Sequence, residues 1–188
     1  RILVENKLRE EDLPLVGDAE LQLNIKGNVR NPEIKGNLSS KSTLLKIKNK
    51  DITFDSINLV FKKENEGVEI EDFKATKGEA YLFAGGNIVN DRLNIDFNLC
   101  QYPLDEIYAW DEYMARLNMI GKLEGTIKKP EISGELSLEE MIYQEQDIGN
   151  ISGNVSFDEQ DLSIDGLAWN RGQNEYIVDG KISDIFNK

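Results

Sequence analysis

The chain has 188 residues, 39% of them apolar, with 22 Lys plus Arg against 35 Asp plus Glu. That is enough for one sizeable domain or two small ones, and the net charge of −13 argues against nucleic-acid binding and against charge-driven docking on anionic membranes. His is absent and Cys100 is the lone Cys, which removes the commonest general base, an internal disulfide and a zinc cluster.

Residues 1–20 read as one or more lead-in strands. The chain opens on Arg1 rather than Met, and the expectation is a piece of a longer protein. No apolar run has the length of a transmembrane helix. From residue 21 the dominant signal is period-two alternation. Leu21, Leu23, Ile25, Gly27 and Val29 take one parity, and Gln22, Asn24, Lys26 and Asn28 the other. Ile57/Leu59/Phe61 and Val68/Ile70 continue it, and Leu93, Ile95, Phe97 and Leu99 close a first β unit over 21–99. Such alternation marks strands with one apolar and one solvated face.

Residues 100–114 read as a short helical connector. Pro103 stands at a first turn with Asp105 and Glu106 behind it, and Leu104, Ile107 and Tyr108 share a face up to Trp110. The second β unit, 115–188, begins with Ala115, Leu117, Met119, Gly121, Leu123, Gly125 and Ile127 on one parity. Ile132/Gly134/Leu136, Val155/Phe157, Leu162/Ile164 and Tyr176/Val178 follow. Ser137–Gln146 carries a capping-box pattern in Ser137 and Glu140, but alignment with Ser39–Lys48 favours a strand. The sum is an all-β chain of roughly a dozen strands with one short helix.

The two units are imperfect copies. Residues 27–38 read GNVRNPEIKGNL and residues 125–136 read GTIKKPEISGEL, 98 positions apart. Gly86-Asn-Ile88 is echoed by Gly180-Lys-Ile182, 94 apart. Pro cannot donate to a ladder, so Pro32 and Pro130 are expected in the turn between two strands. In both copies the apolar positions jump by three, from 70 to 73 and from 164 to 167, as a β-bulge requires. Layers of this kind stacked edge to edge give one long antiparallel sheet with an apolar face and open edges, prone to self-association.

The duplicated G-x-[VI]-x-x-P-E-I-x-G-x-L box resembles the AsmA-like superfamily, its TamB branch in particular. So does the strand Leu93–Leu99 leading into Tyr102-Pro103-Leu104-Asp105-Glu106-Ile107 and a new Gly-rich strand. The resemblance spans about residues 15–186. It implies a long curved sheet forming a U-shaped groove in the periplasm, anchored to the inner membrane by a part outside this chain. It also implies transport of phospholipid acyl chains between inner and outer membrane, and a TamA-like outer-membrane barrel as partner.

The apolar parity reads either as an open groove or as the core of a sealed sandwich. If a groove, its lining is Leu21, Leu23, Ile25, Leu93, Ile95, Phe97, Leu99, Leu117, Met119 and Leu123. No nucleophile–base pair is visible, and neither a metal nor a cofactor is implied. The acidic pairs Asp51/Asp55, Asp111/Glu112 and Asp158/Asp161 match no calcium loop and read as solvated turns. Trp110 and Trp169 read as packing residues, Cys100 as a small apolar residue. A different class of function is an interaction module that binds partners by strand addition at its edges.

Overall fold

Alternation of apolar and polar side chains over ten or more residues forces an extended backbone, because only a strand sends successive side chains to opposite faces. The computed structural model describes residues 15–28, 31–47, 50–64, 67–104, 113–158 and 161–183. Within them lie eleven strands. These are β1 (Leu15–Asn28), β2 (Asn31–Ile47), β3 (Lys50–Glu64), β4 (Gly67–Lys77), β5 (Ala80–Val89) and β6 (Arg92–Pro103). They continue as β7 (Tyr113–Thr126), β8 (Lys129–Tyr143), β9 (Gln146–Asp158), β10 (Asp161–Arg171) and β11 (Asn174–Ile182). The chain is all-β and antiparallel.

Two compact units divide it, Arg1–Asn90 and Asp91–Lys188. In the first, β1 to β5 pair in chain order, each strand antiparallel to the next. In the second, β6 to β11 do the same. The division falls ahead of Leu93–Leu99, a stretch the alternation assigned to the end of the first unit. That stretch is β6, which falls in the second unit and pairs there with β7 from Arg92 to Pro103.

Pro103 is the last residue of β6. Residues 105–112, which carry most of the expected helix with Trp110 and the pair Asp111/Glu112, lie outside the described residues, as does Val29. Ser137–Tyr143 is strand, and Gln144-Glu145 is the turn into β9.

The repeated box builds the same hairpin twice, β1–β2 and β7–β8. Gly27 pairs with Pro32 and Gly125 with Pro130. The prolines therefore stand on the second residue of a strand rather than in the turn, a correction to the expectation above. A strand start tolerates the missing N–H because the ladder there is bonded on few sides. The partner glycines have φ of 89° and 83°, left-handed values that a side chain would strain. Each turn is closed by a side chain at the equivalent place. Asn31 N donates to Asn28 Oδ1 at 2.8 Å, and Lys129 N donates to Thr126 Oγ1 at 3.1 Å. The parity switches are register shifts, between Ile70 and Phe73 on β4 and between Ile164 and Leu167 on β10.

Candidate functional site: two apolar sheet faces

Directly opposed residues of an antiparallel pair share a face, so the registers can be followed across each unit. In the first unit one row runs Leu21, Leu38, Leu59, Phe73, Ala84. The next runs Leu23, Gly36, Phe61, Ile70, Gly86. Beside them lie Ile25 with Ile34, and Ala19, Ser40, Ile57, Ala75 and Leu82. The other face is mixed and richer in polar side chains, as in the row Asn37, Val60, Asp72 and the row Asn58, Lys74, Phe83. Lys35 bridges Glu71 at 3.4 Å, and the Lys74 ammonium stands 5.0 Å over the Phe83 ring.

The second unit repeats the plan. Its rows are Ile95, Leu123, Ile132, Phe157, Leu162, Ile182; then Phe97, Gly121, Gly134, Val155, Ile164, Gly180. Leu99, Met119, Leu136 and Gly153 form a third, and Tyr102, Leu117, Leu138, Ile151, Trp169 and Tyr176 a fourth. Leu93 joins them by alternation with Ile95. The reverse face carries Asp96, Lys122, Ser133 and Ser156 in one row, with Lys122 bridging Asp96 at 3.7 Å.

The ten residues expected to line a groove thus fall on two surfaces. Leu21, Leu23 and Ile25 lie on the apolar face of the first unit. Leu93, Ile95, Phe97, Leu99, Leu117, Met119 and Leu123 lie on that of the second. The expected set missed the inner strands of both rows, notably Leu38, Phe61, Ile132 and Phe157, although their alternation is present in the sequence.

Coverage separates an open face from a core. Within each unit the main contacts of every described strand are with its ladder neighbours. Among the described residues only Ile57, Ala75, Ala80, Ile95, Tyr102 and Ala115 are buried apolar side chains. Leu21, Leu23 and Ile25 are 41%, 42% and 55% exposed. Most of the remaining apolar rows are partly buried, whereas Tyr176 and Ile182 at their β11 ends are exposed.

Glycines shape these surfaces. A Cβ on Gly36 would lie 2.3 Å from the Phe61 ring, so Phe61 lies across the strand beside it. Phe97 does the same over Gly121, its Cζ 3.1 Å from where a Cβ would stand. An aromatic ring lying over a cross-strand glycine covers backbone that would otherwise be bare. Gly36 is a position of the box, but the ring it receives comes from β3, a strand the box does not contain.

The polar groups near these faces are few. Tyr102 is buried and its hydroxyl has no partner among the described residues, and burial pushes its pKa up. Thr43 is fully buried, and its Oγ1 lies 2.5 Å from Ser40 Oγ, which in turn donates to the Asp18 carbonyl at 2.6 Å. Trp169 Nε1 donates to the Ile148 carbonyl at 2.6 Å, and its ring tilts against Tyr176 with centroids 5.3 Å apart, so this Trp packs. Cys100 is partly buried and free. Among the described residues no three Asp, Glu or Cys side chains converge in a way that would hold a metal. Such a face offers dry contact without a polar reader, which suits a flexible hydrocarbon rather than a polar ligand.

No family model, curated protein or solved structure matches the chain.

Proposed function

We propose that the apolar faces carry phospholipid acyl chains, and that the chain is a segment of an envelope-spanning bridge-like protein of the AsmA-like kind. The observation that carries this is the multi-row apolar face of each unit: Leu21, Leu23 and Ile25 are 41%, 42% and 55% exposed, and few of the described apolar side chains are fully buried. Sheets that bury a face against a second layer do so to remove apolar surface from water; here a ligand can take that place. An acyl chain laid along the rows gains about 0.8 kcal/mol per buried methylene and needs no fixed polar partner. The duplicated box supports the family assignment, and with it a place in the periplasm, anchorage to the inner membrane and a TamA-like barrel as partner.

Photo-crosslinking tests the proposal. A crosslinking residue at Phe97 or Leu23 should capture phospholipid in cells, whereas one at Asn98, on the polar face, should not. Phe97→Asp and Leu117→Asp should leave the fold intact by circular dichroism and abolish lipid capture. Equal capture from both faces, or none from the apolar one, would refute the conduit.

A further inference from the structure

The chain holds two Asp-Gly pairs, Asp165-Gly166 and Asp179-Gly180, and the fold sets them opposite one another. The register of β10 with β11 passes from Leu167 against Val178 to Ile164 against Gly180. Asp165 and Gly166 are therefore the two residues of the bulge, and Asp179 is the single residue that faces them. Gly166 has φ of 61°, a left-handed value that suits Gly. Both bulge residues are exposed, and apart from its chain neighbours nothing lies within 4 Å of where a Cβ on Gly166 would stand. The Gly166 N–H is held all the same: it donates to Asp179 Oδ1 at 2.6 Å.

An Asp followed by Gly is the sequence in which the main chain most readily attacks its own side chain, because no Cβ crowds the incoming nitrogen and the Gly backbone turns freely. The Gly nitrogen gives up its proton and bonds to the Asp carboxyl carbon; one water leaves and a five-membered imide forms. Water then adds to either imide carbonyl. One opening returns aspartate, and the other gives isoaspartate, whose main chain runs through the former side chain. One water is lost and one is gained, with no oxidant or reductant. In β10, isoaspartate would add one carbon to the backbone ahead of Leu167 and Trp169, which stand on the apolar face.

We propose that Asp165 is a site of isoaspartate formation, held in check by the Asp179 carboxylate through its hydrogen bond from Gly166 N–H. A charge-assisted bond of this kind is among the stronger ones, and it must break before Gly166 N can lose its proton and turn to the Asp165 carboxyl. The same bond holds the Asp179 carboxylate against β10, which leaves it less free to meet Gly180 N. The matching bulge of the first unit supports this division of roles. There Glu71 and Asp72 face Gly85, with no Asp-Gly pair in the bulge and no carboxylate opposite it. The acid stands opposite the bulge in the copy whose bulge carries the labile pair. The proposal does not depend on what the apolar faces bind.

Incubation of the 188-residue chain at neutral pH in water labelled with heavy oxygen tests this, since each passage through the imide leaves one labelled oxygen in the carboxylate that re-forms. Cleavage after Arg171 puts Asp165 and Asp179 on separate peptides for mass spectrometry, and fragmentation assigns the label. Label at Asp165 should enter the folded chain about tenfold or more slowly than the chain unfolded in urea, and Asp179→Ala should recover most of that difference, as the loss of one hydrogen bond to a charged group implies. Asp179→Asn combined with Gly180→Ala keeps the acceptor and should stay as slow as the wild type at Asp165; a Cβ at Gly180 meets nothing within 4 Å. Hydrogen exchange at the β10 amides checks that the hairpin stays paired in Asp179→Ala, and Asp179→Val, favoured in a strand, carries the test if it does not. Equal rates at Asp165 in the folded and unfolded wild type, a paired Ala or Val variant no faster than the wild type, or an acceptor-keeping variant as fast as Asp179→Ala would overturn the proposal.

Discussion

Phe97→Asp asks whether the apolar face of the second unit stands open to water. Phe97 is partly buried, with its ring over Gly121 and with Ile95 and Leu99 next to it along the same face of β6. Truncating a partly buried Phe forfeits about 1–2 kcal/mol of transfer free energy. Placing Asp in a strand costs about 1 kcal/mol more in propensity. The carboxylate itself remains hydrated if nothing lies on the face, so the total is about 2–3 kcal/mol. Beneath a second layer the same change would lose about 3–5 kcal/mol for the ring. It would also bury an unpaired charge, at several kcal/mol more. That sum is comparable to the whole stability of a domain, about 5–15 kcal/mol. Urea unfolding followed by circular dichroism separates the cases. A cooperative transition shifted by about 2–3 kcal/mol fits the open face. Loss of cooperative folding, or a shift beyond about 5 kcal/mol, would refute it.

Other consequences follow from individual side chains. Gly125→Ala should destabilise more than Gly27→Ala: both residues have positive φ, but the new Cβ would lie 2.4 Å from the Lys129 carbonyl oxygen in the first case and 3.2 Å from the Asn31 carbonyl oxygen in the second. Denaturant midpoints should differ by about 1 kcal/mol or more, and equal losses would contradict the hairpin geometry. Tyr102→Phe removes a buried hydroxyl that has no partner among the described residues and should be neutral or stabilising by up to about 1 kcal/mol in the same measurement. The fold favours the protonated form of Tyr102. Its contribution is therefore intact below the ordinary tyrosine value of 10.0 and lost as the pH rises through the raised folded value. Stability measured against alkaline pH should fall less steeply in Tyr102→Phe than in the wild type. Thr43→Val removes the hydroxyl that meets Ser40 Oγ in a fully buried place and should cost about 1–2 kcal/mol by thermal or denaturant unfolding; no change would mean that the pair contributes nothing.

Much of the architecture is local and was legible. Alternation within Leu21–Ile25, Leu93–Leu99 and Ala115–Leu123 determines which side chains share a face, because a strand alternates sides whatever surrounds it. The jumps from Ile70 to Phe73 and from Ile164 to Leu167 announce bulges for the same reason: an extra residue is the way to keep an apolar face after a parity change. The duplicated box announces one hairpin made twice, and its glycines mark the positive φ that each hairpin needs.

What was not legible depends on residues far apart in the chain. Pro32 and Pro130 looked like turn residues, yet cross-strand pairing with Gly27 and Gly125 places them on strands. β6 reads in sequence as the close of the first unit, and its register with β7 becomes visible only in the fold. The ring above Gly36 comes from Phe61, and only the β2–β3 register brings the two together. The hydroxyl of Tyr102, without a partner among the described residues, likewise needs its neighbours to be seen. The sequence by itself determined that the chain is β and which of its residues are apolar on a common side. Whether that side is covered was decided by tertiary structure alone. A dihedral preference is set residue by residue, whereas coverage depends on whether any other segment returns to the same surface.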